Sequence, residues 1–159
     1  MALSPGCSLI LDFSESAPVD ASFDAPYTQA ECDYMEPNDS PMSPMTITAT
    51  DMGPAAICAP SSSGGAEDID NYKFTAASAT VIVAIQFTNR PGGDLDMKLL
   101  DGSGSTTLSQ SRGFGDGEML TCPGNSPACP ALTAGSDYVL QVFPAVPGSV
   151  NAYTFTLMP

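Results

Sequence analysis

Short runs of alternating apolar and polar residues are the feature that most constrains the fold. In residues 81–87, Val81, Val83, Ile85 and Phe87 occupy every second position. This period places all four side chains on one face of a β-strand. The same alternation recurs in four further segments, residues 70–74, 94–99, 138–143 and 153–157. Clusters of Gly and Pro separate the runs, and roughly seven to nine short strands of this kind predict an all-β fold, an antiparallel β-sandwich of the jelly-roll type.

Charge excludes several classes of function. The chain of 159 residues has 4 basic and 18 acidic side chains, and its formal net charge is −14. Nucleic-acid binders owe most of their affinity to Lys and Arg, so we expect no nucleic-acid partner. The chain has no His, which excludes Ser-His-Asp triads and the zinc sites that require His. No apolar run reaches the roughly 20 residues of a membrane-spanning helix.

The first 33 residues differ from the remainder of the chain. Residues 1–7 end in Gly6 and Cys7 and read like the end of a bacterial lipoprotein signal, in which the cysteine is lipidated. This interpretation predicts an apolar leader encoded upstream of Met1. The following residues contain no basic side chain, and we interpret residues 1–33 as this N-terminus followed by a flexible acidic tether. The alternative is an edge strand at residues 9–13 and an ordinary thiol at Cys7.

The other four cysteines indicate disulfides and therefore an oxidising, extracytoplasmic compartment. Four cysteines can pair in three ways. Cys122 and Cys129 bracket a turn-rich loop of six residues, which a local disulfide would close. Cys32 would then pair with Cys58. None of the spacings supplies the CxxC pairs that a zinc site needs.

Four motifs occur in a characteristic order. They are EPNDS at residues 36–40, EDIDNYKF at 67–74, GDLDMKL at 93–99, and AGSDYVLQV at 134–142 with YTF at 153–155. In this order the motifs resemble bacterial pre-peptidase C-terminal domains, and the resemblance covers roughly residues 34–157. We therefore divide the chain into residues 1–33 and a domain at 34–159. The resemblance implies a small β-sandwich that is appended to secreted proteases and other exported proteins and is not itself an enzyme.

Some members of this family, including the collagen-binding modules of clostridial collagenases, bind calcium and an extracellular polymer. The oxygen-bearing side chains of Glu36, Asn38 and Asp39 suit Ca²⁺, and the resemblance adds Asp68 and Asp70, next to Glu67, as further ligands. The calcium-binding relatives tend to carry an acidic residue where this chain has Tyr34. In the alternative interpretation, residues 38–40 cap a turn through hydrogen bonds from side chain to backbone.

Two other features invite a functional interpretation. Asp94 and Asp96 would lie on the same side of a strand, as the paired carboxylates of a glycosidase do, but the resemblance places both in a scaffold strand. Phe114 lies between glycines, and we expect its ring to pack inward.

Two functions remain open. The first is a non-catalytic module, secreted or held on the outer membrane or cell surface by a lipid at Cys7, that binds an extracellular protein or polysaccharide. In this hypothesis the lipid is the sole contact with a membrane. The second is an accessory domain that stabilises, masks or helps export a partner protein and has no ligand of its own.

Overall fold

The computed structural model describes residues 36–48, 55–58, 67–88 and 91–158. The predicted tether and lipidation site, together with Cys32 and Tyr34, lie outside these ranges. The described residues form eleven β-strands and no helix, so this part of the chain has no helix that could cross a membrane. The strands are β1 (Met45–Thr46), β2 (Ala55–Ile57), β3 (Asp70–Thr75), β4 (Val81–Gln86), β5 (Leu95–Asp101), β6 (Thr107–Ser111), β7 (Gly117–Cys122), β8 (Gly124–Asn125), β9 (Ala128–Cys129), β10 (Asp137–Pro144) and β11 (Asn151–Met158).

The strands make two main sheets that pack face to face. One sheet has the order β1-β3-β10-β5-β6 and the other the order β2-β11-β4-β7, while β8 and β9 form a separate ribbon. All pairs are antiparallel except β1 with β3, which is parallel. The predicted all-β sandwich is confirmed. The described strands outnumber the expected seven to nine because β1, β8 and β9 are two-residue strands with no detectable alternation.

The alternating runs form the core, as their period predicts. Core-facing side chains include Val83 of β4 and Met97 of β5, both buried, and burial of such apolar surface is the main force that holds two sheets together. At the centre, the rings of Tyr72 and Phe155 stack with their centroids 5.1 Å apart. These two residues belong to different sheets, β3 and β11, so the aromatic contact joins the layers.

The loop between β6 and β7 corrects one expectation. Phe114 does not pack inward, because its side chain is 92 % exposed. The buried carboxylate of Glu118 holds the base of this loop, where it accepts hydrogen bonds from the Ser111 hydroxyl and from the Gly113 amide. Since Glu118 fills the space beneath the loop, the ring of Phe114 projects outward.

The predicted disulfide between Cys122 and Cys129 is confirmed, with the two Cα atoms 5.0 Å apart. It closes the loop that contains the β8–β9 ribbon, and both cysteines are buried against the core. Cys58 is also disulfide-bonded. Its pairing with Cys32 stays a prediction, because Cys32 lies outside the described residues.

Candidate metal centre

The EPND segment lies against the first residues of β3. The backbone carbonyl of Asn38 accepts hydrogen bonds from the amide nitrogen of Asn71, at 3.1 Å, and from its side-chain nitrogen, at 2.9 Å. Asp70 opens β3, and the period of two places its side chain on the core-facing side with Tyr72. Asp68 lies two residues earlier. These contacts bring the EPND segment and the strand entrance to the same end of the sandwich.

Three carboxylates converge there, and we call them the acidic cluster: Glu36, Asp68 and Asp70. Each contributes one oxygen, and these oxygens all lie within 4.8 Å of one another. Two of the groups are oriented by backbone amides, since Glu36 accepts a hydrogen bond from the Asn38 amide at 2.8 Å and Asp68 accepts one from the Cys58 amide at 2.6 Å. The carboxylates of the cluster therefore come from two segments distant in sequence, and the Cys58 amide of a third segment orients one of them.

Asn38 gives an independent indication of a ligand. Its side chain is 1 % exposed, and neither its amide oxygen nor its amide nitrogen meets a partner in hydrogen-bond geometry. The amide nevertheless lies close enough to Asp70 to lower the pKa of that carboxyl. The buried amide oxygen has no partner, which is costly, and a cation that this oxygen could reach would remove part of that cost.

Repulsion within the acidic cluster changes how its members titrate. Burial, opposed by the Cys58 amide and supported by the charges of Glu36 and Asp39, raises the pKa of Asp68 to about 7. Burial likewise raises the pKa of Asp70 to about 7, against a hydrogen bond from Tyr153. Carboxyls that resist ionisation in the bare protein are stabilised as anions when a divalent cation neutralises them.

The sequence-predicted ligands divide into two groups. Glu36, Asp68 and Asp70 come together and Asn38 lies beside them, whereas Asp39 is exposed. Asp39 lies outside the group of three, but its charge contributes to the raised pKa of Asp68.

The turn-capping alternative holds for one residue. The Ser40 hydroxyl accepts a hydrogen bond from the amide of Met42 at 3.2 Å. The Asn38 side chain caps nothing. Turn capping therefore accounts for Ser40 and leaves the buried amide of Asn38 unexplained.

Two functional contacts were missed from the sequence. The Tyr153 hydroxyl donates a hydrogen bond to Asp70, and the Tyr72 and Tyr153 hydroxyl oxygens are 2.7 Å apart. Both tyrosines are recognisable in the sequence as core-facing strand residues. A contact between strands 81 residues apart, however, depends on which sheets face each other, and the alternation pattern does not specify that.

The carboxylates of Asp94 and Asp96 do not form a comparable site. Asp96 is buried on the outer side of β5, with one carboxylate oxygen 3.8 Å from the Arg112 guanidinium nitrogen. Burial raises the pKa of Asp96 to about 6, and Arg112 counteracts the rise. Asp94 precedes the strand, and its backbone carbonyl accepts a hydrogen bond from Ala145. We therefore interpret Asp96 as part of a local ion pair.

Comparison with known proteins gives matches among solved structures. No family model matches the chain, and no curated protein matches it. The chain is similar to the pre-peptidase C-terminal domain of a collagenase from Bacillus anthracis, with 15 % identity over 76 % of this chain and 100 % of that one and a TM-score of 0.48. That structure is the kind of domain that the sequence motifs resemble.

Two further similarities are weaker. An insecticidal delta-endotoxin from Bacillus thuringiensis matches 74 % of this chain and 25 % of its own, with 13 % identity and a TM-score of 0.36. A β-glucosidase from Paenibacillus barengoltzii matches 70 % of this chain and 11 % of its own, with 13 % identity and a TM-score of 0.29.

Proposed function

We propose that this chain is a non-catalytic β-sandwich module of an exported bacterial protein, that it is stabilised by a calcium ion, and that it binds an extracellular protein or polysaccharide. The observation that carries the calcium part is the convergence of Glu36, Asp68 and Asp70 beside the buried amide of Asn38, whose oxygen has no hydrogen-bond partner. Three carboxylate oxygens from two segments then lie within 4.8 Å of one another, and the Asn38 side chain, water or backbone carbonyls would complete the shell.

The chemistry of these donors favours Ca²⁺ over other common ions. Calcium accepts six to eight oxygen ligands in flexible geometry, whereas Mg²⁺ demands a near-ideal octahedron and keeps most of its water. Zinc prefers nitrogen and sulfur, and the chain has no His. The nearby Cys58 is disulfide-bonded, so its sulfur is not available as a thiolate. The ligands therefore suit a hard cation that tolerates irregular coordination.

Disulfides support the proposed location outside the cytoplasm. Cys122 is bonded to Cys129 and Cys58 is disulfide-bonded, and such bonds persist in oxidising compartments. We propose a secreted protein or a surface lipoprotein, the latter anchored through Cys7. Extracellular calcium is abundant enough to fill sites with dissociation constants of about 10⁻⁴ to 10⁻³ M, so such a module would be occupied after export.

An uncharged sheet face supports the partner-binding part of the proposal. The outward side chains of β2, β4, β7 and β11 include no charged residue, although the whole chain has a net charge of −14. Met119 and Met158 are exposed on this face, which also carries the exposed side chains of Thr154 and Gln86. A neutral and partly apolar face meets a protein or a neutral polysaccharide without electrostatic repulsion.

Retention on immobilised collagen and polysaccharides, and recovery of exported proteins, test partner binding. We expect Met119→Glu on the uncharged face to abolish a retention that Glu67→Gln preserves. Recovery of one stoichiometric exported protein, without retention on any polymer, would instead support the accessory role in export or stabilisation.

Thermal unfolding tests the calcium part directly. At a calcium concentration about 100 times the dissociation constant, binding adds about 2.7 kcal/mol to the free energy of unfolding, which raises Tm by several degrees. Calcium-free protein in chelator is the reference, and Mg²⁺ at the same concentration is the control, for which we expect a much smaller rise. An identical Tm with calcium and with chelator would refute the calcium site.

A further inference from the structure

A chain of buried hydroxyl groups connects the acidic cluster with the interior of the sandwich. The Tyr153 hydroxyl donates a hydrogen bond to one carboxylate oxygen of Asp70. The oxygen of the same hydroxyl lies 2.7 Å from the Tyr72 hydroxyl oxygen. Both tyrosines are almost completely buried. Tyr72 belongs to β3 in one sheet and Tyr153 belongs to β11 in the other, so the chain of hydroxyls crosses the interface between the two sheets.

We propose that Tyr153 is a positioning residue for the calcium site, an inference that rests on the proposed function. With one oxygen held by the hydroxyl, the carboxylate of Asp70 is restricted to one orientation before an ion arrives. Residues that hydrogen-bond to a metal ligand typically contribute a factor of about 10 to 100 to metal affinity. Tyr153 is placed to make this contribution from the opposite sheet.

The same bonds link occupancy of the site to the contact between the sheets. Asp70 opens β3, and its hydroxyl partner lies on β11, which pairs with β2 and β4 in the other layer. An ion that fixes Asp70 therefore also fixes the Tyr153 hydroxyl against Tyr72, whose ring stacks on Phe155. Ion binding at the end of the sandwich therefore restricts the aromatic side chains at the centre of the core.

A purely structural role for the hydroxyl would have a different signature. A buried tyrosine that only satisfies its hydrogen bond contributes to the stability of the fold without affecting ion affinity. Tyr138 provides the matched control, because it is buried in the same core and its hydroxyl accepts a hydrogen bond from the Thr133 amide at 2.8 Å. None of its observed contacts involves the acidic cluster.

The test measures the calcium dissociation constant of wild type, Tyr153→Phe, Tyr72→Phe and Tyr138→Phe by isothermal titration calorimetry. The titrations are made well below Tm and at about pH 8.5, where carboxyls with a pKa near 7 are ionised. We expect Tyr153→Phe to weaken binding about tenfold or more. Tyr72→Phe keeps the Tyr153 bond to Asp70 but removes a second hydroxyl that also interacts with Asp70, so we expect a smaller weakening. Tyr138→Phe should bind as wild type does.

Near-ultraviolet circular dichroism supplies a second readout. The chain has five tyrosines and no tryptophan, so the aromatic signal comes chiefly from tyrosine. We expect calcium to change the signal of wild type, Tyr72→Phe and Tyr138→Phe, all of which keep the contact between Tyr153 and Asp70. The change should be largely lost in Tyr153→Phe.

Each outcome distinguishes the two proposals. If wild type binds no calcium, the calcium site itself is wrong. If wild type binds and Tyr153→Phe binds equally well, the calcium site stands and the positioning role is wrong, even where the variant is less stable. If Tyr153→Phe does not fold, the dichroism decides, and an unchanged tyrosine signal in calcium-saturated wild type would overturn the positioning role.

Discussion

At the residue scale, the acidic cluster carries an electrostatic cost in the bare protein. Asp68 and Asp70 have pKa values raised to about 7, chiefly by burial and then by neighbouring carboxylates. Asn38 adds a buried amide with no hydrogen-bond partner. Natural proteins retain such groups where they serve a function, and here one bound cation would compensate all three.

Replacing one carboxylate should therefore have opposite effects in the presence and absence of calcium. We expect Asp68→Asn to weaken calcium binding at least tenfold, because a charged ligand is lost. In chelator the same variant should be more stable than wild type, by on the order of 1 kcal/mol after allowance for solvent screening of the partly exposed Asp68, since the cost of burying a charge and the repulsion from its neighbours are both removed. Chemical denaturation with and without calcium measures both effects.

Glu67→Gln is the matched control for this experiment. Glu67 is exposed and lies outside the acidic cluster. Its substitution removes the same charge from the position immediately before Asp68. It should leave both calcium affinity and stability in chelator nearly unchanged. A variant Asp68→Asn that is less stable than wild type in chelator would show that the cluster is not under electrostatic strain.

Single residues also show how far the sequence predicts the site. The chemistry of the EPND segment predicts Glu36, Asn38 and Asp39 as calcium ligands, and the family resemblance of the EDID motif adds Asp68 and Asp70. The Asp39 carboxylate lies outside the group of three but raises the pKa of Asp68, and its role as a ligand stays a prediction. The hydroxyl of Tyr153 could not have been assigned, since its position depends on the packing of the two sheets.

At the scale of elements, the disulfide between Cys122 and Cys129 fixes the loop that holds β8 and β9. Closing a loop with a sequence separation of 7 restricts the unfolded chain and contributes about 2 to 3 kcal/mol. We expect the double variant Cys122→Ala/Cys129→Ala to lose at least this much free energy of unfolding, because both side chains also pack against the core. Urea denaturation measures the loss, and a variant within about 0.5 kcal/mol of wild type would contradict it.

The turn between β5 and β6 supports the segment that carries the EPND motif. Gly104 has a φ of +71°, and a Cβ atom at this position would lie 2.6 Å from the backbone oxygen of Pro41. Gly135 has a similar φ of +80° but no atom within 4 Å of such a Cβ. An alanine at Gly135 would therefore add only backbone strain, whereas an alanine at Gly104 would add both backbone strain and a steric clash.

Alanine substitutions at these glycines should differ in cost. Gly135→Ala introduces only the strain of a left-handed backbone, about 1 kcal/mol. Gly104→Ala adds a clash with the backbone of Pro41, and we expect it to lower Tm by several degrees more and to weaken calcium binding by displacing the EPND segment. Equal decreases in Tm for the two variants would show that the turn does not support this segment.

The longer elements were predictable and the shortest were not. Alternation identified β3, β4, β5, β10 and β11, and the structure confirms them to within about two residues at each end. The two-residue strands are too short to show a period. The parallel pairing of β1 with β3 arises because the EPND segment enters along the edge of β3, and this path depends on tertiary contacts.

At the scale of the whole molecule, the excess of acidic residues makes stability depend on pH. In the folded protein without calcium, the carboxyls of Asp68 and Asp70 have a pKa of about 7, compared with a usual value of 3.8. Between these values the folded state binds more protons than the unfolded state, so the free energy of unfolding falls as pH rises. Below about pH 3.8 these two carboxyls are protonated in both states, so they no longer make the free energy of unfolding depend on pH.

We therefore expect the stability in chelator to fall between about pH 4 and pH 7.5, by on the order of 2 kcal/mol, after allowance for solvent screening of Asp68. Saturating calcium should remove most of this fall, because the ion holds the carboxylates in their charged form. The lowered pKa values of the exposed Asp101 and Asp137 act in the opposite sense, and their effect lies below about pH 4. Thermal unfolding across this range measures the slope, and a stability that rises from pH 5 to 7 in chelator would contradict the assignment.

The most direct test of the central claim is isothermal titration of the calcium-free protein with Ca²⁺ at pH 7, in two buffers that differ in ionisation enthalpy. We predict saturable binding of one ion per chain. The heat should differ between the buffers, because calcium displaces protons from Asp68 and Asp70, whose pKa values are about 7. The absence of saturable heat in both buffers at millimolar calcium would contradict the account.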